Sequence, residues 1–320
     1  MFWRLYKAVL ADAALSLRGL WEVTDGKYGW VSAQVDPRDV LNSEHMYHQG
    51  LELASLGPNV MVKVPGTAAG YDAIEKLVEN GISINSTFSY TVPQVRCCLR
   101  AIDAGLRRRR KEPARWRSVI TYMIGRFGAQ GDLIEQASAR GLDFGLADVR
   151  WAEVLVFRNM LQEIADSGVP AKLLLSSIKA DVNDNDGATT CWHLEKTAGT
   201  PVVYTLTPTL LKTLLDAKYC LPPKHVPMDL ASIEDVPTDL YERLLSLPYF
   251  MSASRADGMS AEAFHHQGAF ITTAAEACAS IRRMHDFIAR AFQARHWSQP
   301  KTYASPLDNT LHTGVLGEAA

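Results

Sequence analysis

Six short apolar runs, each followed by a stretch with helical spacing, leave this chain few ways to fold. The runs are Trp30 to Val35, Val60 to Val64, Ile82 to Thr87, Ser118 to Met123, Ala171 to Ser176 and Pro201 to Leu206. Strands that alternate with helices pair in parallel and are covered on both faces, so they read as apolar runs. Such units in a row predict an α/β fold, either a (β/α) barrel or a doubly wound sheet. Helices are predicted over 43–56 and over about 67–79, with Gly81 placed just beyond the second. Pro93 and Pro208 each stand where a helix can open.

Residues 2–22 place Phe2, Leu5, Val9, Leu10, Ala13, Leu17 and Leu20 at three- and four-residue steps, an amphipathic helix rather than a signal peptide. After about Leu215 the pattern changes. Residues 221–262 are richer in Pro, Asp and Ser and read as loops with short helices. Residues 272–293 predict a final amphipathic helix, and the tail after Trp297 is expected to be mobile.

Charge and cysteine usage narrow the function classes. The 320 residues carry a formal net charge of -2, which gives no general attraction to nucleic acid or an anionic membrane. No run of about 18 apolar residues exists, so no membrane span is expected. Five cysteines (Cys97, Cys98, Cys191, Cys220, Cys278) without a C-x-x-C pair predict reduced thiols in a cytoplasmic protein and no metal site. The basic run Arg107 to Lys111 reads as a solvated helix end. His265-His266 reads as part of a surface helix, and Cys97-Cys98 as packing residues.

Lys63 is the sharpest single residue. It stands in Val-Met-Val-Lys-Val-Pro, where alternation puts Met61, Lys63 and Pro65 on one face and Val60, Val62 and Val64 on the other. Burial there lowers a lysine's pKa, and only the free amine attacks a carbonyl. On the bare pattern, a lysine that snorkels from a strand end or pairs with a carboxylate explains it more often.

The wider motif changes that balance. Asn59-Val-Met-Val-Lys63-Val-Pro-Gly-Thr67, then Gly70, Ala73-Ile74, Gly81-Ile82, Asn85 and Thr87, resembles the central signature of the transaldolase family. Val31-Ser-Ala-Gln-Val-Asp-Pro-Arg38, Ile120-Thr-Tyr-Met-Ile-Gly-Arg126, Leu173-Leu-Leu-Ser-Ser177 and Val203-Tyr-Thr-Leu206 with Pro208 resemble its neighbouring strands, in order, from about residue 5 to 215. The resemblance implies a (β/α) barrel of TIM type over 1–220, with a helical and loop extension over 221–320. It also implies a transferase that moves a dihydroxyacetone unit between sugar phosphates, a pentose phosphate pathway reaction, with no cofactor.

By the same resemblance Lys63 is the Schiff-base nucleophile, Thr87 and Gln34 hold a water that shuttles protons, and Asn85 and Thr121 line the substrate. Arg126, Ser177 and Lys179 are implied to hold the phosphate, although the spacing around Lys179 departs from the common pattern.

Other departures matter as well. Gln34 stands where transaldolases carry glutamate, as in the fructose-6-phosphate aldolase type, and glutamine cannot take a proton from water. Thr121 and Met123 replace the more usual serine and aromatic residue. Two family strands that precede the Gln34 strand, one ending in a catalytic aspartate, have no counterpart, so six strands of an incomplete barrel are expected. Two exposed sheet edges would follow, for a homo-oligomer or the C-terminal hundred residues to cover. The competing expectations are an aldolase that releases the fragment, and a non-catalytic truncated relative that binds sugar phosphate.

Overall fold

All six apolar runs form strands, somewhat trimmed or shifted at their ends. The computed structural model describes residues 1–111, 113, 115–128, 133–182, 187–221 and 236–298. Strands β1 (Val31–Gln34), β2 (Val60–Pro65), β3 (Ile84–Ser89), β4 (Ser118–Tyr122), β5 (Ala171–Leu175) and β8 (Val203–Tyr204) form one sheet in that order. Every pairing in it is parallel. Two short strands, β6 (Asp181–Val182) and β7 (Thr189–Thr190), form a separate antiparallel pair in the connection after β5. The sheet curls as an incomplete (β/α) barrel, which decides between the two α/β architectures.

The helices follow their predicted signals. Helix α3 (Ala68–Glu79) starts where the Thr67 hydroxyl accepts the Gly70 N–H at 2.9 Å, and ends before Gly81 at φ 76. Helix α4 (Val92–Arg108) is capped by Thr91 and carries Pro93 in its first turn. Helix α9 (Pro208–Asp216) is capped by Thr207. Helix α2 (Ser43–Ala54) is capped by Asn42, whose side chain accepts the His45 N–H at 3.0 Å. Helices α2, α3 and α4, with α7 (Leu146–Ser167), pack on the face that carries Val62, Val64, Ile84, Ile120, Leu173 and Leu175, all buried.

Helix α1 (Phe2–Val23) corrects one expectation. It buries Phe2, Leu10, Ala14 and Trp21, while Leu5, Val9, Leu17 and Leu20 are exposed. The stripe on 2, 6, 10, 14 and 21 turns inward because Tyr6 binds the sheet edge. Its hydroxyl accepts the Gln34 N–H at 2.8 Å and donates to the Gln34 carbonyl at 3.1 Å, satisfying the outer edge of β1 at that residue.

The last helix, α12 (Gly268–Ser298), is longer than the predicted 272–293. Short helices α10 (Thr238–Leu245) and α11 (Pro248–Ser254) and a 3-10 turn over Ala261–His266 precede it. Residues 222–235 and the tail beyond 298, both addressed by the sequence reading, lie outside the described residues. Among the described residues, no helix is long and apolar enough to cross a membrane.

Candidate active site

The face of the sheet turned away from the helices is unusually polar. Parallel register aligns Gln34 with Lys63 and Lys63 with Asn85. Neighbours in register point to the same side, so three strands present one polar row. Thr87, two residues beyond Asn85, lies opposite Pro65 and shares that face. Thr121 belongs to it as well, because its hydroxyl donates to Asn85 Oδ1 at 2.7 Å. Asn85 Nδ2 in turn donates to Ser32 Oγ on β1 at 3.1 Å, so this side-chain chain crosses from β4 to β1 past β2. Both ends of the Asn85 amide are thereby held, which locks its orientation.

Lys63 is half-buried in the middle of this row. Among the described residues its amine has no carboxylate or hydrogen-bond partner, so the ion-pairing explanation finds no support. Burial lowers its pKa from the ordinary 10.5, because desolvation penalises the ammonium and no described charge offsets it. Gln34 Nε2 donates to the Lys63 carbonyl at 3.1 Å, which leaves the glutamine oxygen available to a water. None of the strand positions on this face of β1 to β5 carries Asp or Glu.

The expected anion-binding residues meet at the carboxyl ends of the strands, where barrel sites are built. Arg126 lies on a single-turn helix, α5 (Ile124–Phe127), directly after β4. Ser177 follows β5 with φ 58, a left-handed conformation rare for a non-glycine residue. Gly125 is what lets the two segments touch. A Cβ there would stand 2.1 Å from the Ser177 carbonyl and 2.8 Å from Cγ of Lys179. Lys179 itself is exposed.

Arg126 is already engaged by α12. Its Nη2 donates to Glu276 Oε2 at 2.6 Å and its Nη1 to Thr273 Oγ1 at 3.5 Å. Phe270, one turn earlier, meets Phe88 of β3 edge to face with ring centroids 5.6 Å apart. Tyr90 stands beside Arg126, Thr273 and Glu276, and burial pushes its phenol up, so it remains neutral.

Sequence reasoning missed the groups that hold the segment after β5. Glu153 on α7 is fully buried, with its carboxylate accepting from Arg150 Nη1 and His193 Nε2, both at 2.8 Å, and from the Gly128 N–H at 3.2 Å. His193 Nδ1 accepts the Lys179 N–H at 3.1 Å, which leaves Nε2 as the donor to Glu153. Arg150 adds a two-point contact to Asp181 at 2.8 and 2.7 Å. The only hint in the sequence was that Arg150 and Glu153 fall within an otherwise apolar stretch of α7, which does not say where they point.

The basic run also resolves into geometry. Arg107 pairs with Asp103 at 2.7 Å, and Arg108 with Glu75 and Glu79, on helix surfaces. Among the described residues, no group of three or more His, Cys, Asp or Glu side chains is arranged to hold a metal.

The family model described as Transaldolase/Fructose-6-phosphate aldolase matches residues 1–265 of this chain. A protein named Transaldolase 2 from Streptomyces avermitilis is 33% identical over 157 residues, 45% of this chain and 42% of its own length. One named Transaldolase from Mycolicibacterium paratuberculosis is 32% identical over 117 residues, 35% and 31% of the two chains. Transaldolase 2 of Streptomyces coelicolor is 32% identical over 141 residues, 42% and 37%. The matches thus span less than half the length of these curated relatives.

Proposed function

We propose, for a chain that belongs to the transaldolase/fructose-6-phosphate aldolase family, that Lys63 forms an imine with the ketone of a sugar phosphate and passes on a dihydroxyacetone unit. The single observation that carries this is the Lys63 amine, desolvated and without a carboxylate partner among the described residues, in a row between Gln34 and Asn85.

The free amine attacks the ketone carbon, one proton is taken up through the bound water, and water leaves, giving a protonated imine. A proton then leaves the substrate hydroxyl, the adjacent carbon–carbon bond breaks, and an aldehyde phosphate departs. The electron pair of the broken bond moves into the imine, which becomes an enamine. Attack of the enamine on an acceptor aldehyde, followed by hydrolysis, completes the transfer. Thr87 and Gln34 hold the water that exchanges these protons, since neither side chain can act as a base itself. Asn85 and Thr121 hold substrate hydroxyls, and Arg126, Ser177 and Lys179 the phosphate. Such chemistry belongs to the cytoplasmic pentose phosphate reactions.

A second reading, release of the fragment as in an aldolase, is favoured by Gln34. An amide at that position and the lack of a carboxylate on this face of β1 to β5 leave proton transfer to water. A binder without catalysis is the third.

One experiment separates them. Turnover of fructose 6-phosphate is followed with and without an aldose phosphate acceptor, and a parallel sample is reduced with borohydride in the presence of fructose 6-phosphate. An adduct mapped to Lys63 and product formed only with acceptor identify a transferase; fragment released without acceptor identifies an aldolase. A folded protein that gains no mass at Lys63 would sink both enzymatic readings.

A further inference from the structure

The ends of β2 and β3 are joined by a buried carboxamide that the mechanism above does not use. Gln94, in the first turn of α4, has no exposed surface. Its Nε2 donates to the Gly66 and Phe88 carbonyls, both at 2.8 Å. Its Oε1 accepts the Tyr90 N–H at 2.8 Å and the Thr91 hydroxyl at 3.2 Å. Two carbonyls on one side and a backbone N–H on the other leave only this orientation of the amide.

What it holds is local and unusual. Gly66 lies three residues beyond Lys63, and Phe88 directly follows Thr87. Gly66 N–H donates to the Thr87 carbonyl at 2.6 Å, so both sides of this junction are tied. Phe88 has φ 54, a conformation that bulky residues rarely adopt. It falls within the register shift between Ser86 and Ser89, and such bulges redirect side chains beside active sites. Gly66 has no spare room, because a Cβ would meet Tyr71 Oη at 2.9 Å and Gln94 Nε2 at 3.1 Å.

We infer that Gln94 is a positioning residue: by fastening Phe88 in its left-handed conformation to Gly66, it sets the direction of the Thr87 hydroxyl relative to the Lys63 amine. It touches no substrate and acts through Thr87. The inference rests on the Schiff-base reading and deepens it.

Two substitutions in the full chain test it. Gln94→Leu leaves both carbonyls without a donor. Fructose 6-phosphate turnover should fall about 100-fold in kcat, the scale of a misplacement near 1 Å, with KM within about threefold. Borohydride trapping at Lys63 should still go to completion, because the amine itself is untouched. Gln94→Glu can donate to a carbonyl only while its carboxyl is protonated. Its activity relative to wild type should therefore fall as pH rises, whereas the Gln94→Leu ratio stays flat.

Circular dichroism and a thermal melt establish that each variant is folded. If Gln94→Leu does not fold, the pH split of Gln94→Glu decides alone. Wild-type kcat in a folded variant, or a pH-independent ratio for Gln94→Glu, overturns the inference while the Schiff-base reading stands. A wild-type chain that traps no adduct ends that reading, and this inference with it.

Discussion

Lys63 works against the fold that holds it. Its pKa is lowered by desolvation, so between the folded value and 10.5 the unfolded chain keeps a proton that the folded chain releases. Stability therefore rises with pH across that window, and the burden is greatest below it. Lys63→Met should raise the melting temperature at neutral pH, abolish the borohydride adduct, and lose its thermal advantage as pH approaches 10.5. A methionine variant that melts below wild type at pH 7 would show that the amine is well solvated. This residue was legible in the sequence because a charge inside Val-Met-Val-Lys-Val-Pro stands out along one strand and the motif from Asn59 to Thr87 surrounds it. Gln94 was not, because its partners at Gly66 and Phe88 come from two other elements.

At the scale of elements, α12 competes for the group expected to bind phosphate. Glu276 and a phosphate would both use the Arg126 guanidinium, and the ion pair is partly exposed, with side-chain exposures of 23% and 50%. Pairs of that kind contribute up to about 1 kcal/mol, so Glu276→Gln should lower KM for a sugar phosphate by no more than about fivefold. KM for unphosphorylated dihydroxyacetone should not move. Equal changes for both substrates would place the effect elsewhere than at the phosphate. Strand ends also belong to this scale. The predicted third strand, Ile82 to Thr87, is found at Ile84–Ser89, because a bulge carries pairing past the residues whose apolar pattern ends it. Helix α12 begins earlier than its amphipathic pattern suggested because Ala269 and Phe270 pack into the core.

For the whole molecule, the open sheet is the dominant fact. Tyr6 satisfies the β1 edge at Gln34, while β8 ends the other side with Val203 37% exposed. Leu206, Leu211 and Leu215 are exposed just beyond it, and Leu5, Val9, Leu17 and Leu20 along α1. Among the described residues nothing pairs with the outer side of β8, and apolar surface beside such an edge favours self-association. Sedimentation at micromolar concentration should report a mass above that of one chain, and Val203→Lys should shift it toward the monomer. A single-chain mass for the wild type under the same conditions would refute the expectation.

The sequence by itself determined the parallel α/β order, the starts of α2, α3, α4 and α9, and the face on which Lys63, Asn85 and Thr87 lie. Those properties depend on spacing along one strand or helix, which a linear pattern records. Only the tertiary structure decided that the Glu153 network holds the segment after β5, that Gly125 admits Ser177 beside Arg126, and that α12 reaches that arginine. Each is a contact between residues distant in the chain, where distances and hydrogen-bond partners exist only after the elements pack.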